Sequence, residues 1–353
     1  MTDNNSSFPA LPEKNRMSLP KQNGKIRYCF LTILGLIAFG GLLYFGGFES
    51  FEKIKHPNYI WLLAAFCGSG FMIFIFAIRW GGIVNSLLGR KITDNMTYFF
   101  YSLSSLAVGT VLPHTAGSLV GKAAALNKFQ KISMKNSAAS VLLDKVFDGF
   151  FMLMFGWPLL LLLSGVATIK QVIVISIAEF LIISLLVLVH YSLWLRLLKI
   201  TIASLVNFLG MFSFIRKRKQ WQKIDALNRL DEWDVLQKET ILRAYFLTAI
   251  GQLMLTVRAW LAAMAVGVGI TPFEIFVGIG LVQASILISV TPGALGFADA
   301  AWFIALVGAG IPKEIIPVFL VSIRVIENLA VLFFWLPLYF FIIWKSAVRR
   351  RNK

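Results

Sequence analysis

Val257-Arg258-Ala259-Trp260, Gln283-Ala284-Ser285-Ile286, Thr291-Pro292-Gly293-Ala294-Leu295-Gly296 and Ser322-Ile323-Arg324-Val325-Ile326-Glu327 punctuate a single apolar stretch, residues 258–327. An ordinary membrane helix carries neither such charges nor a Pro-Gly break. The stretch also has a twin. An offset of 179 residues carries Arg258 onto Arg79, Pro292 onto Pro113, Gly296 onto Gly117, Arg324 onto Lys145 and Glu327 onto Asp148, with no gap. Apolar matches are cheap in so apolar a chain. The Arg, Pro, Gly, basic and acidic matches at one offset are not, and they indicate an internal duplication, a recurring property of transporter folds.

The composition sets the class. The chain has 353 residues, 58% hydrophobic and 14% charged, with a mean hydropathy of +0.76; soluble domains carry about 25% charged residues. This is the composition of an integral membrane protein. The net charge of +17 would suggest nucleic acid in a soluble protein. Here the bases flank apolar segments, as orientation by the positive-inside rule and attraction to anionic lipid require, so no nucleic acid partner is expected. Cys29 and Cys67 lie in apolar runs and read as small buried side chains. His56, His114 and His190 are scattered, so no metal-ligand spacing, phosphate-cradling loop or nucleophile elbow is recognised, and no cofactor is expected.

Taken in order, residues 1–27 read as a disordered basic cytoplasmic tail. Residues 28–345 form one transmembrane domain, and 346–353 a second basic cytoplasmic tail. Spans are expected at 28–45, 59–79, 138–163, 171–189, 241–260 and 315–344, each near the length that crosses the hydrocarbon core. Residues 98–111 and 118–129 are too short to span. They break at Leu112-Pro113-His114-Thr115-Ala116-Gly117 and read as a re-entrant hairpin, as does 273–309 around Pro292. The basic interlude 191–240 reads as a cytoplasmic linker, whose apolar part 200–214 either lies on the membrane face or crosses it. The fold class is thus an all-α polytopic membrane protein of about 6–8 transmembrane helices, with two broken hairpins and repeat halves at about 59–165 and 241–344. Three crossings separate Arg79 from Arg258, so the repeat is expected to be inverted, with both termini cytoplasmic in an inner cell membrane.

The candidate site residues are the duplicated ones. Arg79 and Arg258, placed at helix ends, either snorkel to headgroups or clamp a phosphate bidentately. Lys145/Asp148 and Arg324/Glu327 are spaced i,i+3, so each pair shares one helix face. They form either a self-neutralised packing lock or the polar lining of a path for an amphipathic substrate, because charges inside a span face protein or water. Asp144 has no charged twin and is the weaker candidate. Pro113/Gly117 and Pro292/Gly293/Gly296 break their helices and free backbone N–H groups that attract anions; the simpler reading is a kink. Gln283, with Ser285, Ser289 and Thr291, precedes the second break and either satisfies backbone groups or meets a headgroup.

At these residues the chain resembles the lysylphosphatidylglycerol synthase transmembrane region family, also called the flippase-like domain. The matching stretches are Ile78-Arg79-Trp80, Val111-Leu112-Pro113 with Gly117, Val141-Leu142-Leu143-Asp144-Lys145, Thr291-Pro292-Gly293-Ala294-Leu295-Gly296-Phe297-Ala298-Asp299, and Ser322-Ile323-Arg324 with Glu327. Together they cover roughly 60–345. The family usually has Arg where Lys145 stands, and often Gly-Gly-x-Gly followed by Arg-Glu at the second break, where this chain has Ala294-Leu295-Gly296 and Ala298-Asp299. The resemblance implies movement of a lipid between leaflets: aminoacylated phosphatidylglycerol in fused members, and hopanoids or glycolipid and glycan intermediates in stand-alone ones. The aminoacyl-transfer domain of fused members is a separate soluble part and is not expected in the few residues after 345. The expected function is lipid translocation without chemistry of its own. The partner is a membrane lipid, either an anionic phospholipid or a lipid-linked intermediate, and a partner enzyme or a homo-oligomer is compatible with that. The rivals are a membrane-embedded lipid-modifying transferase and an accessory subunit of a lipid or glycan biosynthetic complex.

Overall fold

A computed structural model describes residues 56–190 and 237–351, the last eleven by backbone only, with isolated helical positions at 33, 36, 37, 40, 41, 44, 196 and 200. The expected span at 28–45, the tail 1–27 and nearly all of the 191–240 linker therefore lie outside the described residues.

The described residues form nine helices: α1 (Tyr59–Leu87), α2 (Asn95–Val111), α3 (His114–Gln130), α4 (Met134–Leu163), α5 (Ile169–Val189), α6 (Lys238–Ala265), α7 (Pro272–Ile288), α8 (Phe297–Gly308) and α9 (Ile316–Arg351). Their starts are written in the sequence. Asn58, Asp94, Ser133 and Thr168 each accept a hydrogen bond from a first-turn N–H, filling donors that a helix end leaves open. Thr271-Pro272-Phe273-Glu274 closes a full capping box with proline at the first helical position, where its missing N–H costs nothing.

Five of these segments, α1, α4, α5, α6 and residues 316–340 of α9, are long and apolar enough to cross a membrane, and the chain is a multi-pass membrane protein. Four shorter helices sit between them. At a rise of about 1.5 Å per residue, a 17-residue helix reaches only about 25 Å, less than the roughly 30 Å hydrocarbon core. α2, α3 and α7 have 17 residues each and α8 has 12.

α1 and α6 form the centre and run antiparallel. Asn58 N donates to Ala265 O at 2.7 Å at one end. Gly68 then faces Arg258, and Gly251 faces the Phe76 ring. Further along, Arg79 Nη1 donates to Thr248 Oγ1 at 2.9 Å. Ile83 packs in one cluster with Ile241, Ala244 and Tyr245.

Around this pair each short helix doubles back on its neighbour. A side chain at Gly117 or Gly121 would strike the α2 backbone, within 2.9 Å of Gly109 Cα and 2.8 Å of Ser105 Cα respectively, so α2 and α3 pack backbone to backbone. α7 and α8 pack through Gly278 against Trp302 and Ala305. The two hairpins then meet at their breaks. Pro113 and Pro292 form an antiparallel bridge, Gly293 N donates to Gly109 O at 3.0 Å, and Thr115 Oγ1 donates to Ile286 O at 2.8 Å. Backbone polar groups freed by both prolines thus satisfy one another. α5 lies outermost. Its Val174, Leu181, Ile182 and Leu185 are exposed, an apolar face suited to lipid.

α4 and α7 pack backbone to backbone at Gly156 and Gly280. A Cβ on Gly280 would fall 2.4 Å from Gly156 Cα and N, whereas one on Gly156 would meet Gly280 only at 3.5 Å and beyond. Gly280→Ala is therefore expected to cost about 1–3 kcal/mol by overpacking, and Gly156→Ala less than about 0.5 kcal/mol. Thermal unfolding of the two detergent-purified variants checks this, and equal losses would contradict the packing.

Candidate functional site: two ionic clusters beneath the hairpin joint

Arg79 does not sit at a helix end. α1 continues eight residues past it to Leu87, and the side chain is 2% exposed, so it does not snorkel. Its guanidinium is held on every side. Nε donates to Asp144 Oδ1 at 2.8 Å. Nη2 pairs with the same oxygen at 2.7 Å and donates to Asp144 O at 3.2 Å. Nη1 pairs with Asp148 Oδ1 at 2.7 Å and also reaches Thr248. Three hydrogen bonds and two ion-pair contacts surround the guanidinium and commit it to Asp144, Asp148 and Thr248.

Asp144 and Asp148 are one turn apart on α4, so both carboxylates face α1. Asp144 is completely buried. Its second oxygen accepts from Lys122 Nζ at 2.7 Å, and that ammonium also sits 4.9 Å from the centre of the Trp80 ring. Asp144, the weaker candidate by its lack of a charged match, is therefore the hub of the cluster, and Lys122 is a member that the 179-residue offset could not point to. A readable signal existed: an arginine inside a span needs a carboxylate, and Asp144 and Asp148 share the one acidic helix face nearby. Lys145 Nζ donates to Asp148 Oδ2 at 2.9 Å, the expected i,i+3 pair, and stays 27% exposed.

The second cluster is wired differently from the expectation. Arg324 and Glu327 do not pair with each other. Arg324 Nε donates to Asp299 Oδ1 at 2.9 Å and Nη2 to Asp299 Oδ2 at 3.0 Å. Nη1 donates to Gly293 O at 2.7 Å and Nη2 also to Ala294 O at 3.2 Å. Asp299 accepts from Gly296 N at 2.8 Å as the first-turn cap of α8. Arg324 thus clamps the second break, where Gly293, Ala294 and Gly296 all take left-handed backbone angles. Ala294 holds such an angle at a steric cost that glycine avoids. The acidic residue opposite Arg324 lies 25 positions away, beyond any helix periodicity.

Glu327 instead pairs with Arg258 at 2.6 Å. Arg258 lies inside α6 and is 3% exposed. Unlike Arg79 it is not saturated, since its buried Nε has no hydrogen-bond partner. The two clusters converge on His114 at the start of α3, which lies within electrostatic reach of Lys145, Glu327 and Arg324. Of the remaining candidates, Pro113 and Pro292 form the joint, and Gly117 permits the close α2–α3 packing. Gln283 is half-buried on α7, and its side chain makes no hydrogen bond among the described residues.

Removing one member of a buried ionic network orphans the others, at about 3–5 kcal/mol. Asp144→Asn is accordingly expected to lower the unfolding midpoint steeply or abolish membrane accumulation, because Arg79 and Lys122 both lose their counter-charge. Asp148→Asn, whose side chain is 20% exposed, is expected to cost less. The reverse order in a thermal-shift comparison would contradict the hub assignment.

No curated protein and no solved structure was found to match the chain. A family model does match it, over residues 31–334, and it is described as the lysylphosphatidylglycerol synthase TM region. The match takes in every helix from α1 to α8, most of α9, and both ionic clusters. On that evidence the chain belongs to the lysylphosphatidylglycerol synthase transmembrane region family.

Proposed function

We propose that this protein moves an anionic phospholipid, or a lipid-linked intermediate of like charge, between leaflets, and that the headgroup passes beneath the Pro113/Pro292 joint. The observation that carries the reading is an uneven saturation of buried bases. Arg79, Lys122, Asp144 and Asp148 balance one another. Lys145 adds one positive charge that stays partly accessible, and Arg258 keeps an unpartnered N–H. Buried charge in a membrane protein is costly unless neutralised, and a monoanionic phosphodiester would supply the missing charge. The contacts assigned to it are Lys145 and Arg258. Asp148 and Glu327 position those two bases, and Arg324 holds the break.

The architecture supports a transporter. The 179-residue offset carries α1 onto α6, α2 onto α7, α3 onto α8 and α4 onto α9 within a few residues at most starts. It also carries the Arg79–Asp148 pair onto Arg258–Glu327. Because α1 and α6 run antiparallel, a repeat relating them is an inverted one, with the two hairpins entering from opposite faces. Inverted repeats with discontinuous helices at the centre are a recurrent design for alternating access. Helices α2, α3, α7 and α8 are short enough to be re-entrant, and their freed backbone is buried in protein, as the membrane interior demands.

Lys145→Gln separates transport from packing. Asp148 keeps Arg79 as its partner, so the substitution orphans no carboxylate and removes the excess charge alone. In proteoliposomes, the variant is expected to fold normally yet move labelled phosphatidylglycerol at least about tenfold more slowly, the equivalent of about 1.4 kcal/mol. Wild-type rates from a well-folded Lys145→Gln protein would end the reading. The inverted arrangement is tested separately: reporter fusions at residues 20 and 350 are expected to lie both in the cytoplasm, and a single external terminus would contradict it.

A further inference from the structure

A second polar site lies away from the joint, where the end of α1 meets the start of α6. It is a cleft of about 360 Å³, within the range of small-ligand pockets. Arg90, Lys91 and Arg243 line it, with Ser86 and Thr240 between them and Arg79 at its inner end. Among the described residues none of these three outer bases has an acidic partner. The turn that presents Arg90 and Lys91 is fixed. Gly89 adopts φ 62°, Asn85 Oδ1 accepts from Ile92 N at 2.9 Å, and Tyr98 Oη donates to the same oxygen at 3.0 Å.

Three further features carry the same sign or the same need. Among the described residues α6 begins at this cleft without a side-chain cap, so its first N–H groups offer the partial positive charge of a helix N-terminus; the exposed Glu239 in that first turn offsets part of it and leaves the three bases to carry the site. Ser86 Oγ is buried without a hydrogen-bond partner. The opposing dipole of the α1 C-terminus is blunted, because Leu88, Gly89 and Arg90 N–H groups occupy the Val84, Ser86 and Asn85 carbonyls.

We infer that this cleft binds the phosphate of an anionic phospholipid at the membrane surface, as a docking site distinct from the path beneath the joint. A lipid, rather than a soluble phosphate, is indicated by what continues from Arg243. Phe246, Ile250 and Leu253 follow it at helical spacing on α6 and are 40%, 45% and 55% exposed. They form an apolar track leading away from the basic head of the site, at the position an acyl chain would take. The inner end closes on Arg79, which is buried and engaged by Asp144 and Asp148, so the ligand is held by Arg90, Lys91 and Arg243 and does not reach the central clusters by this route. The site stands whether or not the protein translocates lipid.

The test uses the purified full chain, with spin-labelled phosphatidylglycerol diluted in phosphatidylcholine, and measures the immobilised lipid fraction. Replacing Arg90, Lys91 and Arg243 together with Gln is expected to weaken phosphatidylglycerol retention at least about tenfold. Thr240→Trp, which fills the cleft with its charges kept, is expected to do the same and decides the matter if the triple variant folds poorly. Inorganic phosphate is expected not to compete. Unchanged retention in both variants would overturn the site. Full competition by inorganic phosphate would overturn its assignment to a lipid. Loss of retention in variants that still move lipid at wild-type rate would leave the docking site standing apart from the translocation path.

Discussion

The structure depends on a carboxylate. Asp144 sits fully buried between Arg79 and Lys122, and it ties α4 to the central helix α1 and to the hairpin helix α3. An isolated charge at this depth would be expelled or neutralised. With both partners in hydrogen-bond contact, the same charge becomes the pin that sets where three helices cross. The second half of the chain solves the same problem with other residues, Asp299 holding Arg324 and Glu327 holding Arg258. The clusters therefore differ in what they leave open. The first is saturated except for Lys145 at its edge, and the second keeps an unpaired donor on Arg258.

Glycine and proline do the complementary work. The prolines break two helices, and each break would leave backbone groups bare in a medium that offers no water. The bridge between Pro113 and Pro292 and the donation from Gly293 to Gly109 satisfy part of that need, and Arg324 takes the carbonyls of Gly293 and Ala294. Gly117, Gly121 and Gly280 let backbones approach where side chains would hold them apart, the usual basis of helix association in lipid. Ionic pins and close glycine contacts hold the hairpins to the centre, while the exposed apolar surface is mostly Leu, Ile, Val and Phe.

Much of this was legible in the sequence, for physical reasons. Runs of about 20 apolar residues mark spans because the bilayer has a fixed thickness, and α4, α5 and α6 begin and end close to where hydropathy places them. The short paired helices were legible because their apolar runs are too short to span and their breaks carry proline and glycine. Arg79, Lys145, Asp148, Arg258, Arg324 and Glu327 were found through the shared offset. The pairing was not legible. Arg79 meets Asp144 across 65 residues and Arg324 meets Asp299 across 25, and nothing local announces either contact. Helix periodicity suggested Arg324 with Glu327, and the tertiary fold offered each a better partner. The shared offset also concealed Asp144 and Lys122, since neither has a charged residue 179 positions on.

The central claim is that an anionic headgroup lodges beneath the hairpin joint, between Lys145 and Arg258. Its most direct measurement is photo-crosslinking of the full chain in lipid nanodiscs with phosphatidylglycerol bearing a photoreactive headgroup, followed by peptide mapping. The account predicts headgroup adducts on α4 around Lys145–Asp148 and on α6 around Arg258. Adducts confined to the outer surface of α5 and the exposed faces of the long helices, with none on those two segments, would contradict it.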